Sequence, residues 1–142
     1  MKLPIASHKV IPHRDSMLLI DTLTASDQGA GTVETVLSAI SVAANADQTL
    51  SPLIHVELMA QAYAAVKGWE IMQAGLDFPI GFLVGVQKFT LHNHARAGEH
   101  LTIDVTTAGE FEGFAIVEGT VSCGETAIAS GKIKLWVPQE DA

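Results

Sequence analysis

Positive charge is scarce in this chain: eight Lys and Arg stand against sixteen Asp and Glu, a formal charge of −8 over 142 residues. Nucleic acid and anionic membrane both demand a concentrated basic face, so neither is expected as the main partner. Cysteine is nearly absent. Cys123 stands alone, which excludes an intrachain disulfide and a thiolate metal cluster and suits a reducing compartment. No apolar run reaches the ~18 residues of a membrane span, and Pro4, His8 and Lys9 interrupt the N-terminus before a signal-type apolar stretch can form. The expected location is the cytoplasm. Repeats, low-complexity tracts and linkers are missing too. The chain therefore reads as one domain, residues 1–142, long enough to bury about 68–70% of its unfolded surface.

What is present is organised around Ser51 to Gly75, SPLIHVELMAQAYAAVKGWEIMQAG. Leu53, Val56, Met59, Ala60, Tyr63, Ala64, Val66, Trp69, Ile71 and Met72 leave almost no polar side, which predicts a helix covered on nearly all faces. Ser51-Pro52 offers a capping side chain and a first-turn residue without an amide hydrogen, and Gly75 offers a left-handed close. Inside this greasy rod Glu57 and Gln61 share a face. A buried carboxylate costs several kcal/mol unless it is paired, protonated or wetted, so Glu57 is the residue that demands an explanation.

The flanking segments read as strands. Residues 1–15 form an extended lead-in, with a turn or short helix beginning at His13-Arg14-Asp15-Ser16. Met17 to Thr24 predicts a first strand, Ser26 to Gly29 a turn, and Thr32 to Leu37 its hairpin partner. Ser38 to Leu50 reads as a loop. After the helix, Ile80 to Asn93, Leu101 to Ala108, Phe114 to Ser122 and Thr126 to Val137 alternate as four meander-like strands, with turns at Ala97-Gly98-Glu99, Glu112-Gly113 and Cys123-Gly124-Glu125. Leu101, Ile103 and Val105 alternate with Thr102, Asp104 and Thr106, as in an antiparallel sheet covered on one face. The helix is the expected cover.

Two segments carry a family resemblance. IPHRDSMLLIDTL (Ile11 to Leu23) and VELMAQA (Val56 to Ala62) resemble the Pro-His-Arg stretch and the Glu-x-Met-Ala-Gln helix of hotdog-fold 3-hydroxyacyl-[acyl-carrier-protein] dehydratases. GFLVGVQKFTLHNHARAGEHLTIDV (Gly81 to Val105) is similar to that family's strand, basic loop and next strand, so the likeness covers nearly the whole chain. With Lys67-Gly68-Trp69 it looks most like the aryl-polyene-pathway branch. The resemblance implies an α+β hotdog fold: a curved antiparallel sheet of about six strands wrapped around one long central helix. It places Glu57 on the family's catalytic acid and Gln61 on the glutamine that holds the acid or its water. The chain departs from the pattern in two respects: the family's catalytic histidine lies in a loop before the helix, whereas Leu37 to Pro52 contains no histidine, and the family's Pro-Gly just before the helix is reduced to Ser51-Pro52.

Dehydrating a 3-hydroxyacyl thioester takes a base at the α-carbon, an acid at the β-hydroxyl and donors for the thioester carbonyl. A histidine and a carboxylic acid divide the first two jobs. His55 is the nearest candidate base in sequence, although two helical positions turn it about 200° from Glu57, so it would serve an irregular first turn or a site shared between subunits. His13, beside Arg14 in the lead-in, is the second candidate, against a purely structural role in the turn. Amides around Leu53 and Ile54 are the expected oxyanion donors. His92, His94 and His100 cluster near one strand end, but without a clear further ligand they read as exposed loop histidines, and neither metal nor cofactor is expected. Trp69, Met59 and Met72 read as core packing or as lining of an acyl tunnel, and Cys123 as inert.

The expected function is dehydration of a 3-hydroxyacyl thioester on acyl carrier protein or coenzyme A, in a homodimer or higher oligomer, or in a heterodimer with a second dehydratase. Docking of an acidic carrier would fall to Arg14, Lys88 and Arg96. Two rival readings follow from the absent loop histidine: a non-catalytic or half-active subunit of a heteromeric dehydratase, and a hotdog acyl thioesterase.

Overall fold

The computed structural model describes residues 2–38, 41, 44–76 and 81–136. A two-residue strand β1 (Ile5–Ala6) precedes short 3-10 turns at Ser7–Lys9 and Asp15–Met17. Then follow β2 (Thr22–Asp27), β3 (Ala30–Val36), the helix α1 (Ile54–Gln73), β4 (Phe82–Leu91), β5 (His100–Phe111), β6 (Phe114–Cys123) and β7 (Thr126–Trp136). All seven strands form one sheet in the order β1-β2-β3-β5-β6-β7-β4, and every neighbouring pair is antiparallel. The helix packs against β2 through β7. This is the expected hotdog arrangement; the strand beyond the expected six is β1, which adds two residues to the edge at β2.

Burial around α1 explains why its sequence lacks a polar face. From His55 to Gly68 eleven residues are buried, among them Val56, Leu58, Met59, Ala62, Tyr63, Ala65 and Val66. The helix begins later than its sequence signals imply. Its cap position is Leu53, no side chain caps it, and Ser51 instead accepts from the Ile54 amide through its carbonyl at 3.0 Å. The far end matches the expectation. Gly75 takes φ +77°, its amide reaches the Met72 carbonyl at 2.9 Å, and Leu76 reaches back to Ile71 at 3.1 Å, the paired bonds of a Schellman close.

Alternation places the sheet's covered face. Leu101, Ile103 and Val105 of β5, Ala115, Val117 and Val121 of β6, and Ile133 and Leu135 of β7 are all buried toward α1. Two glycines let the helix come close. Gly119 and Gly131 are register partners on β6 and β7, and both lie under Met59: a Cβ on Gly119 would meet Met59 Cγ at 2.7 Å, and one on Gly131 would meet Met59 Sδ at 3.6 Å. The fully buried Met59 fills the hollow they leave.

Two expectations about strands need correction. The apolar run Met17 to Asp21 is not strand: Leu19 donates its amide to Gln61 Oε1 at 2.9 Å and accepts from Thr35 Oγ1 at 2.7 Å, so helix and β3 side chains take its polar groups and β2 starts at Thr22. The last four strands do not form one meander. β5, β6 and β7 do, but β4 pairs with β7 and forms the far edge of the sheet. Of the Ser38 to Leu50 loop, residues 39, 40, 42 and 43 lie outside the described residues; the rest includes a turn in which Asn45 and Thr49 bond across Asp47-Gln48. Ile80 and Val137, expected at strand ends, also lie outside them.

Candidate active site

The lead-in is pinned before it reaches the helix. Ser7 donates its amide to Asp21 at 2.8 Å. Arg14 folds back on its own loop, donating to the carbonyls of Ile11 and His13 at 2.7 Å each. That fold presents His13 to the helix face carrying Glu57. There a cavity of about 190 Å³ opens between three elements: Pro12 and His13 from the lead-in; Glu57, Ala60, Gln61, Tyr63, Ala64 and Lys67 from α1; Gly81, Leu83 and Leu135 from the β4 and β7 side.

Gln61 organises the polar end. Its amide nitrogen donates to Met17 O at 2.8 Å and to Glu57 Oε1 at 2.9 Å, while its carbonyl oxygen accepts from Leu19 N at 2.9 Å. All three bonds require one orientation of the buried carboxamide, so it acts as a fixed donor to the acid. Glu57 is 32% exposed, at the cavity mouth, and the same Oε1 lies 3.9 Å from His13 Nε2. His13 Nδ1 is buried with no partner among the described residues. An imidazole and a carboxylate therefore face one opening, with the carboxylate held from behind.

Of the residues singled out in sequence, Glu57, Gln61 and His13 come together and the others do not. His55 is fully buried, lines no part of the cavity, and has both ring nitrogens unpartnered; burial first, then the nearby His94, lowers its pKa to about 4. The regular first turn of α1 keeps the 200° separation from Glu57, so His13, and not His55, is the imidazole at the acid. Leu53 is 76% exposed and, like Ile54, absent from the lining. The Ile54 amide is already bonded to Ser51, so the expected oxyanion role loses that donor. Arg14 serves the loop. Arg96 donates to the Asp47 carbonyl at 3.4 Å, and Lys88 is exposed on edge strand β4.

Two of the remaining histidines, His92 and His100, have local partners. His92 Nε2 lies 3.0 Å from Ser130 Oγ, and His100 Nε2 lies 3.3 Å from Glu34. Among the described residues no three metal-ligating side chains gather. Met59 is core; Trp69 and Met72 pack against it, and none of the three lines the cavity. Cys123 Sγ contacts Glu99 Oε2 at 3.5 Å, and burial followed by that contact pushes its thiol pKa up. Sequence reasoning missed Ala60, Tyr63, Ala64 and Lys67 as lining, although positions 57, 60, 61 and 64 carry the three- and four-residue spacing of one helix stripe.

A helix wrapped by an antiparallel sheet, with an acid and an imidazole facing an opening beside the helix, makes this a hotdog-fold protein with a candidate acid–base site. The chain belongs to the ApeP-like family of dehydratases, which it matches over residues 5–142. Its structure is similar to a chain of the dehydratase heterocomplex ApeI:P from Xenorhabdus doucetiae, at TM-score 0.88 and 22% identity over 96% of this chain and 93% of that one. A hypothetical thioesterase with coenzyme A from Streptococcus pneumoniae (TM-score 0.64, 12% identity, 84% and 87% covered) and the PaaI protein of the E. coli phenylacetic acid degradation operon (TM-score 0.62, 15% identity, 80% and 80% covered) share the fold. No curated protein matches the sequence. Among the described residues, no helix is long and apolar enough to cross a membrane.

Proposed function

We propose that the chain removes water from a 3-hydroxyacyl thioester carried on acyl carrier protein or coenzyme A, with Glu57 as acid and His13 as base. The observation that carries this reading is the Gln61–Glu57–His13 arrangement at the cavity mouth. The imidazole takes the α-proton, the electron pair forms the α,β double bond, and the carboxylic acid gives its proton to the departing β-hydroxyl, which leaves as water. The products of that step are an imidazolium and a carboxylate. At 3.9 Å a small side-chain shift lets the proton return to Glu57, which resets the site. Gln61 is a positioning residue: it holds the carboxylate without titrating.

The cavity is smaller than the ~300–1,000 Å³ of a typical ligand site, and one of its walls is the edge strand β4. Leu83, Val84 and Val86 on that strand are 38%, 50% and 49% exposed. An apolar open edge is a pairing surface unless something covers it. This exposed edge supports the oligomeric reading, and a second subunit docked on β4, next to Leu83, would complete the wall. The similar chain in a dehydratase heterocomplex favours a second dehydratase subunit as that partner.

A hotdog thioesterase remains the rival, favoured by the coenzyme A-bound thioesterase of the same fold. The two separate in one assay series. With a 3-hydroxyacyl thioester, dehydration yields the conjugated enoyl absorbance and no free thiol, and hydrolysis yields thiol. The reading expects enoyl product that is lost on Glu57→Gln. Thiol release dependent on Glu57 would replace it.

A further inference from the structure

The cavity lining carries two polar groupings. Beside the apolar Ala60, Ala64, Leu83 and Leu135 it holds Glu57, Gln61 and His13, and, further along the helix, Tyr63 and Lys67. Lys67 follows Glu57 by ten helical positions, a rise of ~15 Å. Its ammonium lies 3.2 Å from Glu110 Oε1 on β5. Tyr63 is buried, and burial followed by the Glu110 and Glu70 charges pushes its phenol pKa up. A plain hydrocarbon tail needs none of these groups. Desolvating a lysine beside an apolar wall is unfavourable unless the cation finds an acceptor.

The Lys67–Glu110 pair is a poor final partner for that cation, because Glu110 is 54% exposed and such pairs contribute little. Exchanging Glu110 for a ligand oxygen therefore costs little. We propose that Lys67 is a distal subsite that binds an acceptor oxygen of the thioester substrate, its Cα ~15 Å along the helix axis from that of Glu57. The inference rests on Glu57 marking the reacting end. That oxygen belongs either to the phosphate of a pantetheine arm or to an oxygen-bearing acyl tail.

The test compares wild type, Lys67→Met and Lys67→Arg, assembled with any native partner, on three 3-hydroxyacyl thioesters. The first is a short alkyl chain on N-acetylcysteamine, the second the same chain on phosphopantetheine, and the third an N-acetylcysteamine thioester with a terminal hydroxyl on a longer tail. Lys67→Met is expected to raise KM about tenfold more for the second or the third than for the first, the size of one charge-assisted hydrogen bond. Lys67→Arg should restore most of that difference, and kcat should follow Glu57 alone. A larger effect on the second identifies phosphate; on the third, the acyl tail. Equal KM shifts across all three, or none, overturn the subsite. Should wild type turn over none of them, the dehydratase reading fails separately, and calorimetric binding of the three matching non-reacting saturated thioesters applies the same criterion to Lys67.

Discussion

Gln61 donates to Glu57 Oε1 at 2.9 Å while its own carbonyl accepts from Leu19 N, across the gap between helix and lead-in. The acid and the loop that carries His13 are thus fixed by one side chain. Replacing Gln61 by Ala should leave Leu19 N and Met17 O unpaired at a buried site and destabilise the fold by about 1–3 kcal/mol. Urea unfolding monitored by circular dichroism measures the loss. Gln61→Glu should also lower turnover, because it sets a second carboxylate beside Glu57 and removes the donor.

Close packing beneath the helix gives a second expectation. A Cβ on Gly31 would stand 2.5 Å from the Ala25 carbonyl and 2.5 Å from Val66 Cγ2. Gly31→Ala should cost about 1–3 kcal/mol or more, and adding Val66→Ala should not rescue it, because the carbonyl is backbone. Gly119→Ala meets only the Met59 side chain, so pairing it with Met59→Ala should recover part of its cost. Thermal melts of the four variants check both statements.

Stability should fall in mild acid through His55. Its folded pKa, lowered to about 4 from 6.5 by burial and then by His94, means that the unfolded chain binds the extra proton first. The contribution is fully present above pH 6.5 and is lost as pH falls from 6.5 toward 4. For this buried ring the lowering corresponds to about 3 kcal/mol. His55→Leu should flatten this part of the pH-stability curve, read by denaturant midpoints between pH 4 and 7, whereas an unchanged slope would remove His55 as its source.

The edge strand supplies a fourth expectation. Val84→Lys and Val86→Lys on β4 put charge on an exposed apolar edge. They should shift the protein to a smaller species by light scattering while far-ultraviolet circular dichroism stays unchanged. An unaltered mass would contradict a subunit contact on β4.

Much of this was legible from residues alone. The helix is unmistakable because Val56 through Val66 offers no polar face, and Glu57 is visible because it breaks that rule. β5 is legible because Leu101, Ile103 and Val105 alternate cleanly. The first strand reads too long from sequence because Met17 to Ile20 is as apolar as a strand, and only the fold reveals that Gln61 and Thr35 take the polar groups of Leu19. The histidine at the acid is hidden in the sequence for a similar reason. His13 and Glu57 lie far apart in the chain and meet through a loop shaped by Arg14, while His55 is close in sequence and turned away by helical geometry.

The most direct measurement is the rate of enoyl formation from a short 3-hydroxyacyl thioester by wild type, Glu57→Gln, His13→Asn and His55→Leu, each assembled with any native partner and checked for folding. Losses of about 10²–10⁴-fold are predicted for Glu57→Gln and for His13→Asn, with His55→Leu retaining most of the activity above pH 6.5. Full turnover by Glu57→Gln, or by His13→Asn, would contradict the account.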